Sequence, residues 1–448
     1  MTDVLLVGIS HRVAPVAVRE PLALTERQGA RLLAGLTAER RISEAVAIST
    51  CNRTEVYLVG DPVESERAAL NALSAHAGID VEELARVTYV QHNCDAARHL
   101  FRVAAGLEAM VVGEHEIGGQ VRRAYNAARE TGTTGPLTNR LFAAALHTGA
   151  RVRTETAIAR SHVSVSSVAV DLAERLLGDL AGRPVVIIGA GETSELTAQA
   201  LAARGAGTIF VANRHADRAR SVAARFGGEV VGLDRLPEKL EAADIVVAST
   251  SSPHPIVGAE ELELVMAARG RRPLLLVDIA VPRDIDPLCG ELDGVTLRDI
   301  DDLQSAVTHN LSSRAADLPA AEAIVEDEIV RFARWLGQLD VRPTIAALRT
   351  RGDDIVEAVL AENSGRWESA SPRDLARIEA LARAVVGRLL HEPTIRLKSL
   401  EEARRHGSVE LLRDLFALDE GEGAEAQTAA GDAPDAHDNV RELRRSTP

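Results

Sequence analysis

A single cysteine lies within a run of polar residues that could support covalent chemistry. Cys51 is at the centre of residues 49–55, whose sequence is Ser-Thr-Cys-Asn-Arg-Thr-Glu. The flanking runs 45–48 and 56–59 are mainly apolar, which predicts two strands with a turn between them. A thiol on such a turn can be exposed, and its thiolate is a strong nucleophile. Arg53 lies two residues away, and a nearby cation would favour the thiolate.

The alternative for Cys51 is a structural role, since most free cysteines are small core residues. The polar neighbours weigh against that alternative, because a core strand rarely carries Asn, Arg, Thr and Glu in succession. The other cysteines, Cys94 and Cys289, are distant in sequence and give neither a disulfide framework nor a metal-ligand spacing. The cysteine pattern therefore indicates a reducing compartment and predicts no metal site.

A glycine-rich turn follows a buried strand in the middle of the chain. Residues 184–188 are apolar, and the next six residues are followed by a helical pattern. In that context Gly189 permits a tight turn, and Gly191 lets the backbone approach a pyrophosphate at the helix N-terminus. We therefore expect a dinucleotide to be bound by Gly189, Ala190, Gly191, Glu192, Thr193 and Ser194. Ser194 replaces the third glycine of the usual fingerprint and is small enough to serve there.

The end of the next strand predicts which dinucleotide is bound. This strand, 208–212, is followed by Asn213 and Arg214. NAD-binding domains usually place an acidic residue there for the ribose hydroxyls, whereas arginine suits the 2′-phosphate of NADP. Asn213 and Arg214 therefore predict NADPH as the cofactor. Further parallel strands are expected at 244–248, 274–279 and 295–297.

The heptad around Cys51 resembles the active-site signature of glutamyl-tRNA reductases. A run from His99 to Leu107 and a run from Met110 to Gln120 are similar to that family as well. The resemblance covers roughly residues 4–415 in the same order. It implies an enzyme that reduces the glutamate carried on tRNA to glutamate-1-semialdehyde, the entry to tetrapyrrole synthesis.

The resemblance also implies roles for individual residues. Cys51 would attack the ester and form a thioester, and His99 would assist proton transfer, although a lone helix histidine is more often packed or solvated. The glutamyl group would be bound by Thr50, Asn52, Arg53, Ala109, Glu114, His115, Glu116 and Gln120. Ala109 stands where the family usually has serine, and Glu116 where it usually has glutamine. These departures leave open a non-catalytic or regulatory relative.

The family further implies a V-shaped homodimer of multidomain α/β subunits. We expect an α+β catalytic domain over 1–157, a Rossmann NADP-binding domain over 158–298, and an all-α dimerisation domain on a long spinal helix over 299–418. Three prolines are expected to divide the helical region into separate helices, namely Pro343, Pro372 and Pro393. Residues 419–448 lack apolar periodicity, which predicts a disordered acidic tail. Expected partners are glutamyl-tRNA and the aminotransferase that consumes the aldehyde.

Composition and charge narrow the remaining classes of function and location for this protein. A formal charge of −15 argues against binding of nucleic acid through net charge, but not against a local basic face for a folded tRNA. The chain has no apolar run as long as a membrane helix and no signal-peptide pattern, so we expect a cytoplasmic protein. A rival class, oxidoreductases of the shikimate dehydrogenase type, uses an N-terminal catalytic lysine. The first lysine here is Lys239, which disfavours that class.

Overall fold

The computed structural model describes residues 3–114, 116–158, 164–213, 216–270, 272–307, 317–366, 371–399, 409 and 411–418. The chain divides into two compact units, residues 1–332 and 333–448. The first unit contains an antiparallel sheet and a parallel sheet, and the described part of the second is helical. The predicted multidomain α/β fold, with α+β, Rossmann and helical parts, is confirmed. Among the helices of these described residues, none combines the length and apolarity needed to cross a membrane.

The antiparallel sheet carries Cys51 on one of its hairpins. Its strands, in the order β2-β3-β1-β4, are β1 (Asp3–Ser10), β2 (Ile42–Ser49), β3 (Arg53–Gly60) and β4 (Tyr89–His92). β2 and β3 form a hairpin in which Ser49 pairs with Thr54. All eight residues of β3 are buried, because β3 lies inside the sheet and both of its faces are covered. The predicted position of Cys51, in a turn between two strands, is confirmed.

Seven helices surround this sheet. They are α1 (Val16–Arg19), α2 (Glu26–Ala38), α3 (Pro62–Ala77), α4 (Val81–Val87), α5 (Asn93–Ala104), α6 (Glu116–Thr131) and α7 (Pro136–Glu155). Local signals explain several of their ends. Thr25 and Gln28 form a capping box at the start of α2. Asp61 caps α3, which ends at Gly78 in the left-handed conformation with φ of 68°.

The parallel sheet has six strands, in the order β10-β9-β8-β5-β6-β7. They are β5 (Val185–Ile188), β6 (Ile209–Ala212), β7 (Glu229–Val231), β8 (Ile245–Ala248), β9 (Leu274–Asp278) and β10 (Val295–Arg298). The strands are parallel, and the order in which they follow one another along the chain reverses between β5 and β8, which is where such folds bind a dinucleotide. β7 was not predicted, because it has only three residues and two of them are exposed.

Helices cover both faces of the parallel sheet, as the alternation of its side chains requires. These helices are α8 (Val165–Leu177), α9 (Glu192–Ala203), α10 (Ala216–Phe226), α11 (Leu236–Ala242), α12 (Ala259–Ala268) and α13 (Ile300–Val307). Val185 and Ile187 point into one apolar cluster, and Val186 and Ile188 point into the other. The first of these clusters, with α8, α9 and α13, is called the upper core below.

Three long helices follow, α14 (Leu318–Asp340), α15 (Arg342–Glu362) and α16 (Pro372–Ser399). Pro343 lies in the first turn of α15 and Pro372 begins α16, as predicted. The prediction that Pro393 separates two helices is wrong, because Pro393 lies inside α16. Proline removes one backbone hydrogen bond, a local cost that a helix of 28 residues can absorb. The predicted tail, 419–448, lies outside the described residues.

Candidate active site

Hydrogen bonds hold the turn that carries Cys51. The backbone N–H of Thr50 donates to the Arg53 carbonyl at 2.8 Å, and that of Asn52 donates to Thr50 Oγ1 at 3.2 Å. The Cys51 carbonyl accepts a hydrogen bond from Nη1 of Arg19. The Cys51 side chain is partly buried and packs against the upper core of the parallel sheet. The thiol therefore lies where the antiparallel and parallel parts of the first unit meet.

The surroundings of Cys51 keep its thiol protonated. Burial raises the pKa of Cys51 to about 12, Glu114 and Glu116 add to the rise, and Arg19 opposes it. The prediction that Arg53 favours the thiolate is wrong for this arrangement. The Arg53 guanidinium turns away to Glu55 Oε1, at 2.9 Å, and to the Glu108 carbonyl. Arg19 is the cation that acts on the thiol, and no local sequence signal links it to Cys51.

A buried carboxylate, Glu55, organises the polar side chains beside the turn. It accepts hydrogen bonds from Tyr57 at 2.8 Å and Tyr89 at 2.6 Å, and it pairs with Arg53 and with His99 Nε2, the latter at 2.8 Å. Burial alone would raise the pKa of Glu55, but His99 and Arg53 outweigh burial and hold it well below its ordinary range. His99 therefore joins the site through Glu55. The i, i+2 spacing of Arg53 and Glu55 on a strand was a sequence signal for this pair.

Three polar atoms beside the turn are buried and lack a hydrogen-bond partner among the described residues. They are His11 Nδ1, Asn52 Oδ1 and Arg53 Nε. Burial lowers the pKa of His11 to about 4, with help from Arg53, Arg19 and Arg12, so its ring is neutral at pH 7. Buried polar atoms cost free energy unless they are satisfied, so this cluster is suited to a polar ligand. His11 follows β1 directly and was not predicted as a site residue.

The other predicted substrate residues are only partly brought together. Burial and Glu116 raise the pKa of Glu114 to about 7 while Arg53 opposes the rise, and the charge of Glu114 in turn raises the pKa of Cys51. Ala109 is buried. Gln120 shares with Thr50 the lining of a cavity of about 520 Å³. His115 lies outside the described residues.

Glu116 lies against the glycine loop of the parallel sheet. Thr193 Oγ1 donates to Glu116 Oε2 at 3.5 Å, and burial together with Glu192 raises the pKa of Glu116. Glu116 also contributes to the raised pKa of Cys51. The structure thus places Glu116 between the thiol and the nucleotide loop, whereas the sequence predicted a contact with the substrate alone.

The glycine loop has the geometry that a dinucleotide requires. Gly189 has φ of +123°, and a Cβ there would lie 2.8 Å from both Ser194 Oγ and the Ser249 carbonyl. Gly191 is the N-cap of α9, and its Cβ side faces open space among the described atoms. A cavity of about 390 Å³ is lined by Gly189, Ala190, Gly191, Asn213 and residues 249–252. A pyrophosphate could approach this backbone at the N-terminus of α9.

The remaining loop residues support that cavity from outside its lining. Ser194 is buried, and its Oγ lies 2.7 Å from Ser249 Oγ, so it packs beneath the loop. Glu192 and Thr193 form the first turn of α9. Arg214, the predicted 2′-phosphate ligand, lies outside the described residues.

The fold and this site define a class of protein. A parallel sheet with this strand order, and with a glycine loop at the point where the strand order reverses, is a Rossmann dinucleotide-binding domain. Residues 171–306 match the family model for shikimate/quinate 5-dehydrogenase. The chain is therefore a nicotinamide-dependent oxidoreductase.

Comparison with known proteins identifies the family. Residues 7–156 match the model of the glutamyl-tRNA(Glu) reductase N-terminal domain, and residues 320–418 match that of its dimerisation domain. The glutamyl-tRNA reductase of Pelotomaculum thermopropionicum is 43% identical over 93% of this chain and 94% of its own. That of Geobacter sulfurreducens is 42% identical over 93% and 96%. The solved structure of the Methanopyrus kandleri enzyme, 32% identical, covers 93% of this chain and 100% of its own with a TM-score of 0.51.

The chain belongs to the glutamyl-tRNA reductase family, and the resemblance found in its sequence is confirmed. The shikimate dehydrogenase model matches the nucleotide-binding region, while the models on either side of it are those of the reductase. The shared cofactor fold thus accounts for the similarity to the rival class.

Proposed function

We propose that this chain reduces the glutamyl ester of tRNA to glutamate-1-semialdehyde with NADPH, through a thioester on Cys51, as the first step of tetrapyrrole biosynthesis. Family membership supports the reaction. One structural observation carries the proposal. Cys51 of the catalytic turn and Ala190 of the nucleotide loop pack against the same upper core, which supports one site that contains both the thiol and the cofactor loop.

In the first step, Cys51 attacks the ester carbonyl of the glutamyl group. A carbon–sulfur bond forms, the bond to the ribose oxygen breaks, and the tRNA leaves with a restored hydroxyl. Glu114 is suited to move the proton, because its pKa of about 7 lets it accept the thiol proton and return it to the ribose oxygen. His99 was expected to assist proton transfer directly, but its bond to Glu55 suits it better to orienting that network.

The glutamyl group is bound by the polar atoms around the turn. Two nitrogens of Arg53 are engaged by Glu55 and the Glu108 carbonyl, so Arg53 contacts the substrate through Nε. Asn52 Oδ1 and the neutral ring of His11 supply further polar contacts. Thr50 and Gln120 extend the site along the neighbouring cavity.

When bound, NADPH supplies the hydride that reduces the thioester to the aldehyde. The backbone of Gly189 to Gly191 and the N-terminus of α9 would hold its pyrophosphate. Upper-core packing against Cys51 limits the access of water to the thioester. Asn213 and Arg214 would hold the ribose that carries the 2′-phosphate.

The substitution Arg214→Asp tests the choice of NADPH. It should weaken NADPH binding by tenfold or more, since a charged contact contributes about 1.5–3 kcal/mol. Fluorescence titration with NADPH and NADH measures this preference. Arg235→Asp is the control, because Arg235 belongs to the same domain, is 61% exposed and pairs with Glu238. Unchanged NADPH affinity in the Arg214 variant would remove the assignment.

The reaction itself is tested by incubating the full chain with glutamyl-tRNA and NADPH. Aldehyde formation that matches NADPH oxidation is the expected result. Binding of glutamyl-tRNA without any aldehyde would identify a non-catalytic relative, as Ala109 and Glu116 left open. Oxidation of shikimate with NADP⁺ would instead place the chain in the rival class.

The proposal extends to partners and organisation. We expect a homodimer formed through the helical region 299–418, with catalytic and nucleotide-binding domains over 1–157 and 158–298. Large apolar side chains are exposed on α15 and α16, among them Ile355, Val359, Leu381, Val385 and Leu389, and a second copy could cover them. Because the product aldehyde is reactive, we expect it to pass directly to the aminotransferase that consumes it, in a reducing cytoplasm.

A further inference from the structure

We propose that Arg19 is a positioning residue for the Cys51 nucleophile, and that Asp301 controls how strongly the charge of Arg19 acts on the thiol. This inference rests on the proposed role of Cys51 and adds two residues to it. They lie 282 positions apart in the sequence, and one packs beside the antiparallel sheet while the other follows the parallel sheet.

Arg19 is held on every side of its guanidinium. It is the last residue of α1 and is 3% exposed. Nε donates to the Ala14 carbonyl at 3.1 Å, Nη1 donates to the Cys51 carbonyl, and Nη2 donates to Asp301 Oδ1 at 2.5 Å. A guanidinium with three fixed partners has one orientation, so the Cys51 turn is anchored to a defined point.

Asp301 is equally fixed. It lies in the first turn of α13, directly after the last strand of the parallel sheet. Its Oδ2 accepts the backbone N–H of Val16 at 2.7 Å while its Oδ1 binds Arg19. The same carboxylate thus accepts hydrogen bonds from the first and the last residue of α1. A displacement of α13 relative to α1 would therefore change the partner of the cation that touches the Cys51 turn.

Among the charges around the Cys51 thiol, Arg19 is the one that favours the thiolate. Glu114 and Glu116 both favour the protonated thiol, and Arg19 is the cation that opposes them. A cation paired with a carboxylate has a weaker field at a third group, because the two opposite charges partly cancel. Asp301 therefore moderates the help that Arg19 gives to the thiolate. Acyl transfer needs that thiolate, so the pair links the reactivity of Cys51 to the position of the nucleotide-binding part.

Alkylation of Cys51 by iodoacetamide tests the inference without tRNA or cofactor. From neutral pH to about pH 9 the rate is proportional to the thiolate fraction, so rate ratios report pKa differences. Mass spectrometry assigns the rate to Cys51, with Cys94 as the internal reference. Arg19→Met should slow alkylation about tenfold, because a close opposite charge lowers a pKa by about one unit or more. Asp301→Asn should accelerate it about two- to threefold, since it releases the charge of Arg19.

A matched control separates charge from loosened packing. Glu20 and Arg283 form a second ion pair between the same two parts, at 2.8 Å, and Cys51 is not among their bonded partners. Glu20→Gln loosens that contact and should leave the Cys51 rate unchanged. Looser packing around Cys51 would raise the alkylation rate of the Arg19 variant, whereas loss of the Arg19 charge would lower it. The two explanations therefore predict changes of the rate in opposite directions.

The outcome can therefore go against the inference in two ways. Alkylation of Arg19→Met at the wild-type rate or faster overturns it, as does an Asp301→Asn rate no higher than that of Glu20→Gln. Arg19→Lys, which keeps the charge, should react within about threefold of the wild type and decides the matter if the methionine variant does not fold. The alkylation rates do not depend on reductase activity. The inference can therefore fail while the proposed function stands, and the proposed function can fail while the inference stands.

Discussion

Replacing Cys51 by serine is expected to abolish transfer of glutamate from tRNA to the protein. When the enzyme is mixed with labelled glutamyl-tRNA and no NADPH, the wild type should release tRNA and retain label on Cys51, or give free glutamate where water intercepts the thioester. In Cys51→Ser the rate should fall by on the order of a thousandfold or more, because an unactivated hydroxyl is a far weaker nucleophile than a thiolate. Gel separation of labelled protein from labelled tRNA measures the step.

The other two cysteines provide the controls. Cys289 is buried in the parallel-sheet domain, where burial raises its pKa to about 11, and Cys94 lies in the first turn of α5. Cys94→Ser and Cys289→Ser should label as the wild type does. Addition of NADPH to the labelled wild type should then discharge the label as aldehyde. Label that stays on tRNA until NADPH is added, or that maps to Cys94, would overturn the order of steps.

The second large effect is expected from Glu55→Gln. All four partners of this carboxylate act as donors toward it, so the amide NH₂ of glutamine would face donors where the carboxylate accepted. The buried charge of Arg53 would also lose its counter-ion, which costs about 3–5 kcal/mol. We expect a loss of stability of that order, measured by urea denaturation, together with a large loss of reductase activity because Arg53 and His99 lose their common anchor.

The difference in stability between the wild type and Glu55→Gln depends on pH, and the sign of that dependence is defined. The pKa of Glu55 is depressed in the folded protein, so its contribution to stability is complete at neutral pH and is lost as the pH falls through that depressed value. The stability gap between the wild type and Glu55→Gln should therefore narrow in strong acid. A gap that widened in acid would contradict the assignment of the charge.

Glu44→Gln is the matched control for Glu55. Glu44 is also a buried carboxylate in the antiparallel sheet, and it accepts hydrogen bonds from Thr138 and from backbone N–H groups at the start of α7. No buried arginine depends on it among its described hydrogen-bond partners. Its loss should cost about 1–2 kcal/mol and leave turnover unchanged at temperatures where the protein is folded. Equal losses of activity in both variants would show that stability alone explains the effect of Glu55.

Features that depend on short stretches of chain could be predicted from the sequence. The strand, glycine turn and helix around Gly189 are contiguous, so their pattern identified the dinucleotide loop. The turn at Cys51 followed from two flanking apolar runs. Predictions from local sequence failed in two places. Pro393 was expected to end a helix, but a long packed helix accommodates it. Strand β7 was not predicted, because it is too short to produce a periodic signal.

The sequence by itself determined that this protein has a cysteine turn, a dinucleotide loop and the motifs of its family. Tertiary structure alone decided which charges surround the thiol. Arg53, two residues from Cys51 in the chain, turns to Glu55, while Arg19 and Asp301 come from distant segments to act on Cys51. The physical reason is that a pKa depends on burial and on charges within a few ångströms in space, and neither quantity follows from separation along the chain.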